Sequence, residues 1–145
     1  LNQSRLLPEP EQARKYRQRL WQAGTCPEEE GLEPEQLGQT IVDAAVAKMG
    51  EDVLLLDIRG LSSFADYFVV CSGASQKQLH ALAEEIRAKT RASGATLIHS
   101  EGSPASGWLL LDYGSVVVHI FSAPTRQYYN LEQLWKDART VVRLL

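Results

Sequence analysis

Apolar residues along the chain recur with two different spacings, which separate helical segments from strands. In residues 34–49 and 75–92 they recur every three to four positions, which predicts two amphipathic helices. Ser75 is the predicted N-cap of the second helix, and Gln78 three residues later completes a capping-box pattern. A similar, shorter pattern predicts a third helix from Asn130 onward.

Between the helices lie short runs of β-branched, aromatic and aliphatic residues, which are typical of strands. They occupy 52–58, 66–72 and 95–100, followed by two strands within 107–121. The segments 101–107 and 122–129 are predicted to be connections. The resulting order is helix, two strands, helix, three strands, helix. This order predicts an α/β fold with a mixed sheet of about five strands flanked by helices.

The run 107–121, GWLLLDYGSVVVHIF, is typical of a β-hairpin with one aliphatic and one mixed face. A turn centred on Tyr113 and Gly114 would place Trp108 opposite His119, because glycine supplies the positive φ that such turns need. Since side chains alternate along a strand, the aliphatic face is predicted to be core. The mixed face carries Trp108, Leu110, Asp112, Ser115, Val117, His119 and Phe121. It is the first candidate for a functional surface.

Composition limits the classes of protein to which the chain can belong. With 145 residues, of which 44% are apolar and 23% charged, it is long enough for one domain with a proper core. No apolar run approaches the roughly 18 residues of a membrane span, so no membrane contact is predicted. The net charge of −3 argues against broad coating of nucleic acid. Cys26 and Cys71 form no CxxC motif, which favours a reducing cytoplasm or organelle matrix.

The first 33 residues differ in composition from the rest and are predicted to form an extension. An amphipathic helix is expected over about 9–22, followed by an acidic, proline-containing linker, so that the domain would cover 34–145. The helix contains the basic run ARKYRQRLW. This run is either a solvated helix face or a contact with RNA or an acidic partner.

Residues that could support catalysis are present but do not form a recognisable site. Asp57, Asp66 and Asp112 lie at predicted strand ends, yet none forms a close Asp-x-Asp pair, and strand-end aspartates are common turn residues. The three histidines lack the spacing of a zinc pair, and Cys71 has no assignable base partner. The loop CSGASQKQ resembles a phosphate loop, but a nucleotidyltransferase also needs an acidic pair for metal ions. No catalytic residue, metal site or cofactor is therefore predicted.

Aromatic residues instead indicate a binding surface. The mixed hairpin face is followed in sequence by RQYYNLEQLW, and clustered Trp, Tyr and Arg is the composition of interface hot spots. Trp135 fits the core stripe of the predicted last helix. Arg126, Tyr128 and Tyr129 precede that helix, where an extended chain would expose one of the two successive tyrosines. An exposed apolar strand face could also support a homodimer.

Three segments together resemble one protein family. LSSFADYFVVCSGAS, GWLLLDYGSVVVHIF and YYNLEQLWKDA are similar, in consistent order over roughly 36–140, to the Iojap family, also called the ribosomal silencing factor or RsfS family. The family's pattern Arg-x-x-Tyr-x-Leu-Glu is met by Arg126, Tyr129, Leu131 and Glu132. The first 33 residues lie outside the resemblance.

The resemblance implies a nucleotidyltransferase-like fold that lacks catalytic acids, in a protein that is not an enzyme. Such proteins bind the large ribosomal subunit through ribosomal protein L-fourteen and sterically block association with the small subunit, which represses translation. Organelle relatives are linked to large-subunit assembly. A nucleotidyltransferase-type enzyme and a large-subunit assembly factor are therefore the alternatives.

Further expectations concern the location of the protein and the residues that contact its partner. The basic N-terminal helix could add a minor contact with ribosomal RNA. Because no Arg- and Ser-rich leader is visible, the bacterial cytoplasm is favoured over an organelle matrix. The predicted partner-binding residues are Trp108, Asp112, His119, Phe121, Arg126, Tyr128, Tyr129 and Glu132.

Overall fold

A computed structural model of the chain describes residues 33–63 and 65–144. Within them the helices are α1 (Pro34–Ala47), α2 (Gln76–Ala92), α3 (Ala123–Tyr129) and α4 (Leu131–Leu134), with a 3₁₀ turn at Pro104–Ser106. The strands are β1 (Glu51–Asp57), β2 (Tyr67–Gly73), β3 (His99–Ser103), β4 (Trp108–Asp112), β5 (Val116–Ser122) and β6 (Arg139–Leu144). The helix and linker predicted before residue 33 lie outside the described residues.

The six strands form one mixed sheet in the order β3-β4-β5-β2-β1-β6. In the described part of the chain, β2 and β5 run parallel and the other neighbouring strands are antiparallel. The predicted α/β class with a mixed sheet is confirmed. The sequence pattern does not predict β6, because its apolar centre is only two valines between charged and polar residues.

Helices α1 and α2 cover one face of the sheet. Their predicted apolar stripes are buried at Leu37, Ile41, Ala44, Ala45, Leu79, Leu82, Ala83 and Ile86. These side chains pack against the aliphatic face of β4 and β5, which forms part of the same core. Met49, predicted on the stripe of the first helix, lies beyond its end and is 80% exposed. No helix in the described residues is long and apolar enough to cross a membrane.

The start of α2 has the predicted cap in a modified form. The Ser75 hydroxyl accepts a hydrogen bond from the Gln78 backbone N–H at 3.1 Å. The Gln78 side-chain oxygen, however, accepts from the backbone N–H of Ala74 at 2.7 Å, and its amide donates to the carbonyl oxygens of Lys48 and Met49. Gln78 therefore joins the end of α1 to the start of α2 instead of closing a capping box.

Replacing Ser75 with alanine is expected to lower the free energy of unfolding by about 0.5–2 kcal/mol, because an N–H in the first turn loses its acceptor. Urea denaturation at pH 7 measures this change. Ser93→Ala, at the exposed C-terminal end of α2, is the matched control and should change stability less. A Ser75 variant as stable as the native protein would contradict the capping role.

The hairpin of β4 and β5 differs in register from the predicted one. Trp108 lies opposite Phe121 rather than His119, and the turn is centred on Gly114 and Ser115. Gly114, with a φ of 87°, is the first central residue of this turn and not the second. The shift is two residues, an even number, so each side chain stays on its predicted face. The aliphatic face is core, as predicted.

Both segments predicted as connections, 101–107 and 122–129, contain regular structure. The third strand is His99–Ser103 rather than 95–100, because it pairs with β4 as far as Trp108. The segment predicted as a connection before residue 130 contains α3, which begins with a Ser122 N-cap and a proline in its first turn. Asn130 ends α3 in the left-handed conformation, at a φ of 50°. The helix predicted from this position is only the short α4.

Candidate functional site

The sheet face opposite α1 and α2 carries a cluster of aromatic rings. In the described residues, α3, α4 and the segment leading to β6 pack over this face. The rings belong to Phe68, Trp108, His119, Phe121, Tyr128, Tyr129 and Trp135, which we call the aromatic cluster. It is the mixed face of the hairpin extended by side chains from β2, α3 and the chain after α4.

The aromatic cluster runs from the core to the surface. Phe121 is fully buried, and its ring centroid lies 5.8 Å from that of Trp108. The half-buried Trp108 ring is 5.4 Å from Tyr129, which in turn is 5.0 Å from Tyr128. Tyr128 is 81% exposed. Aromatic side chains in such contact stabilise one another and offer a rigid surface at low entropic cost.

The structure separates the eight predicted partner-binding residues by exposure. Asp112 and His119 are 1% exposed, Phe121 is 0% exposed and Arg126 is 7% exposed. These four residues are therefore buried in the free protein, Phe121 in the core that α3 and α4 cover and Arg126 against β1 and β2. The accessible ones are Trp108, Tyr128, Tyr129 and Glu132. Direct contact with a partner stays a prediction for these four.

Two of the buried residues have clear structural contacts. The Asp112 carboxylate accepts a hydrogen bond from the Gly114 backbone N–H at 2.8 Å, as is common for an aspartate at a turn. The Nδ1 atom of His119 accepts from the indole N–H of Trp108 at 3.3 Å, and their rings are stacked. His119 therefore helps to fix the orientation of Trp108 in the aromatic cluster.

Arg126 makes several hydrogen bonds and ion pairs within the protein. Its Nη1 atom donates to the Asp52 carbonyl oxygen at 2.7 Å and to the Ser72 hydroxyl at 2.9 Å. Its Nε atom donates to the Glu132 carboxylate at 2.9 Å. The guanidinium also lies 3.5 Å from the Asp52 carboxylate. Arg126 is thus committed to internal ion pairs and hydrogen bonds.

Tyr128 and Tyr129 lie at the end of α3 and not in an extended segment. The prediction that one of them is largely exposed is confirmed, but the reason is helical geometry, which turns successive side chains by about 100°. Tyr128 faces solvent, whereas Tyr129 packs on Trp108 and Phe121. The two tyrosines therefore differ in their dependence on the core.

Several residues considered for catalysis are either buried or engaged in structural contacts. Asp57 accepts hydrogen bonds from the side chains of Arg59 and Arg139 at 2.8–3.0 Å. Burial raises the pKa of the Cys71 thiol to about 12, so this thiol is inert at neutral pH. No group of three His, Cys, Asp or Glu residues in the described ranges could hold a metal ion. Since Ser75 caps α2, these observations give no support to nucleotidyltransferase chemistry.

The ion pairs of Asp57 with Arg59 and Arg139 can be tested through the pH dependence of stability. The hydrogen-bonded Arg59 side chain holds the pKa of the Asp57 carboxyl well below its usual range. Because the folded pKa lies below the unfolded value of about 3.9, the charged carboxylate stabilises the fold above that pH, and the stabilisation is lost as the pH falls through the folded pKa. The side chains of Arg59 and Arg139 are 57% and 60% exposed, so solvent screens these pairs.

Asp57→Asn is therefore expected to lower the free energy of unfolding at pH 7 by about 1 kcal/mol or less. Thermal unfolding of the native and variant proteins between pH 7 and pH 2 measures the difference. The gap in Tm should narrow steadily below about pH 4, where the unfolded carboxyl takes up its proton. A gap that is the same at every pH would show that the ion pairs contribute nothing.

Phe68 belongs to the aromatic cluster although the sequence pattern does not single it out. Its ring lies 4.9 Å from His119 and 5.4 Å from Trp135. The signal is the alternation along β2, which places Phe68 and Val70 on the same side of the sheet. Trp135, predicted to be core, is partly buried against this cluster.

Comparisons with known proteins identify relatives of the chain. Residues 32–144 match the family described as ribosomal silencing factor during starvation. A ribosomal silencing factor of Halalkalibacterium halodurans is 42% identical over 107 residues, which cover 74% of this chain and 92% of that protein. One of Bacillus subtilis is 47% identical over 91 residues, which cover 63% of this chain and 77% of that protein.

A solved structure supports the same assignment. The crystal structure of a protein from Chromobacterium violaceum aligns with a TM-score of 0.70 and 32% identity, covering 72% of this chain and 88% of that one. The resemblance found in three sequence segments is thus confirmed by the family match, by relatives along most of their length and by the fold. The chain belongs to the ribosomal silencing factor family.

Proposed function

We propose that this protein binds the large ribosomal subunit through ribosomal protein L-fourteen and sterically blocks association with the small subunit, which represses translation. Membership of the silencing factor family supports the proposal. The observation that carries it is the exposed end of the aromatic cluster, where Trp108 and Tyr129 are half-buried and Tyr128 projects into solvent.

A protein that blocks subunit joining needs affinity and position but no chemistry. A standard interface of about 1,200–2,000 Å² is enough for specific binding. Tyrosine and tryptophan are enriched among the few residues that supply most of the binding energy in such interfaces. Tyr128, Tyr129 and Trp108 are therefore the proposed anchors, and the buried residues beneath them act as their support.

Charge supports a basic partner. The chain carries a net charge of −3. A ribosomal protein surrounded by RNA is commonly basic, and opposite net charges speed encounter and favour the correct orientation. A homodimer and a contact between ribosomal RNA and the basic N-terminal run stay predictions.

Cosedimentation with purified ribosomal subunits tests the proposal. The protein is expected to sediment with isolated large subunits but not with small subunits or joined ribosomes. Preincubation of large subunits with the protein should also reduce the joined fraction after small subunits and Mg²⁺ are added. Equal sedimentation with both subunits would favour general RNA binding, and turnover of a nucleoside triphosphate would favour the enzyme. Either result would overturn the proposed function.

A further inference from the structure

Helix α3 presents both tyrosines of the proposed interface but is too short to hold its own orientation. It contains seven residues, from Ala123 to Tyr129. Isolated helices of fewer than about 12–15 residues are marginal in water, so tertiary contacts must fix a helix of this length. The direction in which Tyr128 and Tyr129 point therefore depends on what ties α3 to the sheet.

The Arg126 guanidinium is the main polar tie between α3 and the sheet. It donates to the Asp52 carbonyl oxygen on β1 and to the Ser72 hydroxyl on β2. These strands are neighbours in the sheet, so one side chain spans both. A planar guanidinium with several fixed donors restricts its own orientation more strongly than a single hydrogen bond would. Arg126 thus restrains both the position and the rotation of α3.

The backbone of β1 is distorted at the point that Arg126 contacts. Asp52 has a φ of 45°, and the pairing of β1 with β2 is irregular between Glu51 and Leu54. A non-glycine residue in this conformation persists only where its surroundings compensate for the strain. This irregularity is a bulge in β1, at which the Asp52 carbonyl oxygen accepts the hydrogen bond from Arg126. The carboxylate of Asp52 lies between Arg126 and Arg143 of β6.

Arg126 also links α3 to the next helix. Its Nε atom donates to Glu132 of α4, across the left-handed Asn130 that separates the two helices. The same ion pair therefore sets the angle of the turn that follows Tyr129. Because the Tyr129 ring lies 5.4 Å from Trp108, a small rotation of α3 would break the continuity of the aromatic cluster at this contact.

We propose that Arg126 is a positioning residue: through Asp52, Ser72 and Glu132 it holds α3 so that Tyr128 and Tyr129 present the surface that binds the large ribosomal subunit. The inference rests on the proposed function. It replaces the expectation that Arg126 itself touches the partner, since its side chain is 8% exposed and its donors are directed inward.

The test compares Arg126→Gln and Arg126→Lys with the native full-length protein. Both variants keep a long polar side chain but lose the fork that spans the two strands. Binding to large subunits is expected to weaken about tenfold or more, because an interface residue held loosely loses most of its contribution. Leu82→Ala is the destabilised control, because Leu82 is a buried residue of α2 in the core on the other face of the sheet. This variant should bind within about twofold of the native protein.

Near-ultraviolet circular dichroism supplies a readout that simple loss of stability does not move. At a temperature where all the proteins are folded, the Arg126 variants are expected to lose part of the signal from packed tyrosine and tryptophan rings, and Leu82→Ala to retain it. If the Arg126 variants do not fold, Ser72→Ala is measured in their place, because it removes one acceptor of the Arg126 side chain. Ser72 is buried beneath α3, and loss of its hydrogen bond with Arg126 should weaken binding by about threefold.

The outcomes separate the positioning role from the proposed function. Weaker binding and a reduced aromatic signal in the Arg126 or Ser72 variants, with both retained in Leu82→Ala, would support the positioning role. Folded variants with the native signal and native affinity would overturn it. If the native protein does not bind large subunits, the proposed function fails, and the aromatic signal still decides whether Arg126 orients the tyrosines.

Discussion

Replacing Phe121 with alanine is expected to lower the free energy of unfolding by about 3–5 kcal/mol, the cost of emptying a buried aromatic site. Phe121 is 0% exposed, and its ring centroid lies 5.8 Å from Trp108, 6.0 Å from His119 and 6.4 Å from Tyr129. The truncation removes the support beneath the exposed rings. Affinity for the large subunit should therefore fall as well, even among molecules that remain folded.

Two measurements separate these effects of Phe121→Ala. Urea denaturation gives the change in unfolding free energy, and cosedimentation well below the unfolding midpoint gives the affinity of the folded protein. Leu111→Ala is the matched control, since Leu111 is 1% exposed in the core on the opposite face of the same hairpin. It should cost about 2–5 kcal/mol and leave affinity intact. Equal losses of affinity in the two variants would attribute the effect to general destabilisation.

The faces of the hairpin could be predicted from sequence more reliably than its register. Whether a side chain faces the core depends on odd or even position along the strand, so a shift of two residues leaves every face unchanged. The register depends on whether Gly114 is the first or second residue of the turn, which the sequence alone does not decide. The aliphatic core was therefore predicted correctly while Trp108 was paired with the wrong residue.

The burial of Arg126 could not be predicted from its neighbours in sequence. An arginine between Thr125 and Gln127 has the local pattern of a surface residue. Its acceptors on Asp52 and Ser72 lie 74 and 54 positions earlier in the chain, and one of them depends on a bulge in β1. Long-range contacts of this kind follow from the order of strands in the sheet. For the same reason, the family pattern marked this residue without indicating whether it contacts a partner or supports the fold.

Tyr128 is the side chain on which direct recognition can be tested most cleanly. It is 81% exposed, and its ring contact is with Tyr129 at the outer end of the aromatic cluster. Tyr129 is a less suitable target, because it packs on both Trp108 and Phe121, and its loss would affect the fold as well as the surface. A large exposed aromatic ring beside a supported cluster has the character of an interface hot spot.

Tyr128→Ala is expected to weaken binding to the large ribosomal subunit by about 2 kcal/mol or more, a factor of roughly 30. Its free energy of unfolding should change by about 0.5 kcal/mol or less, since the side chain is in water in the free protein. Titration of fluorescently labelled protein with large subunits measures the affinity, and urea denaturation measures the stability. Met49→Ala is the matched control, because Met49 is 80% exposed but follows α1, which covers the opposite face of the sheet. Native affinity in Tyr128→Ala together with weakened binding in Met49→Ala would place the binding surface on the side of α1 and α2.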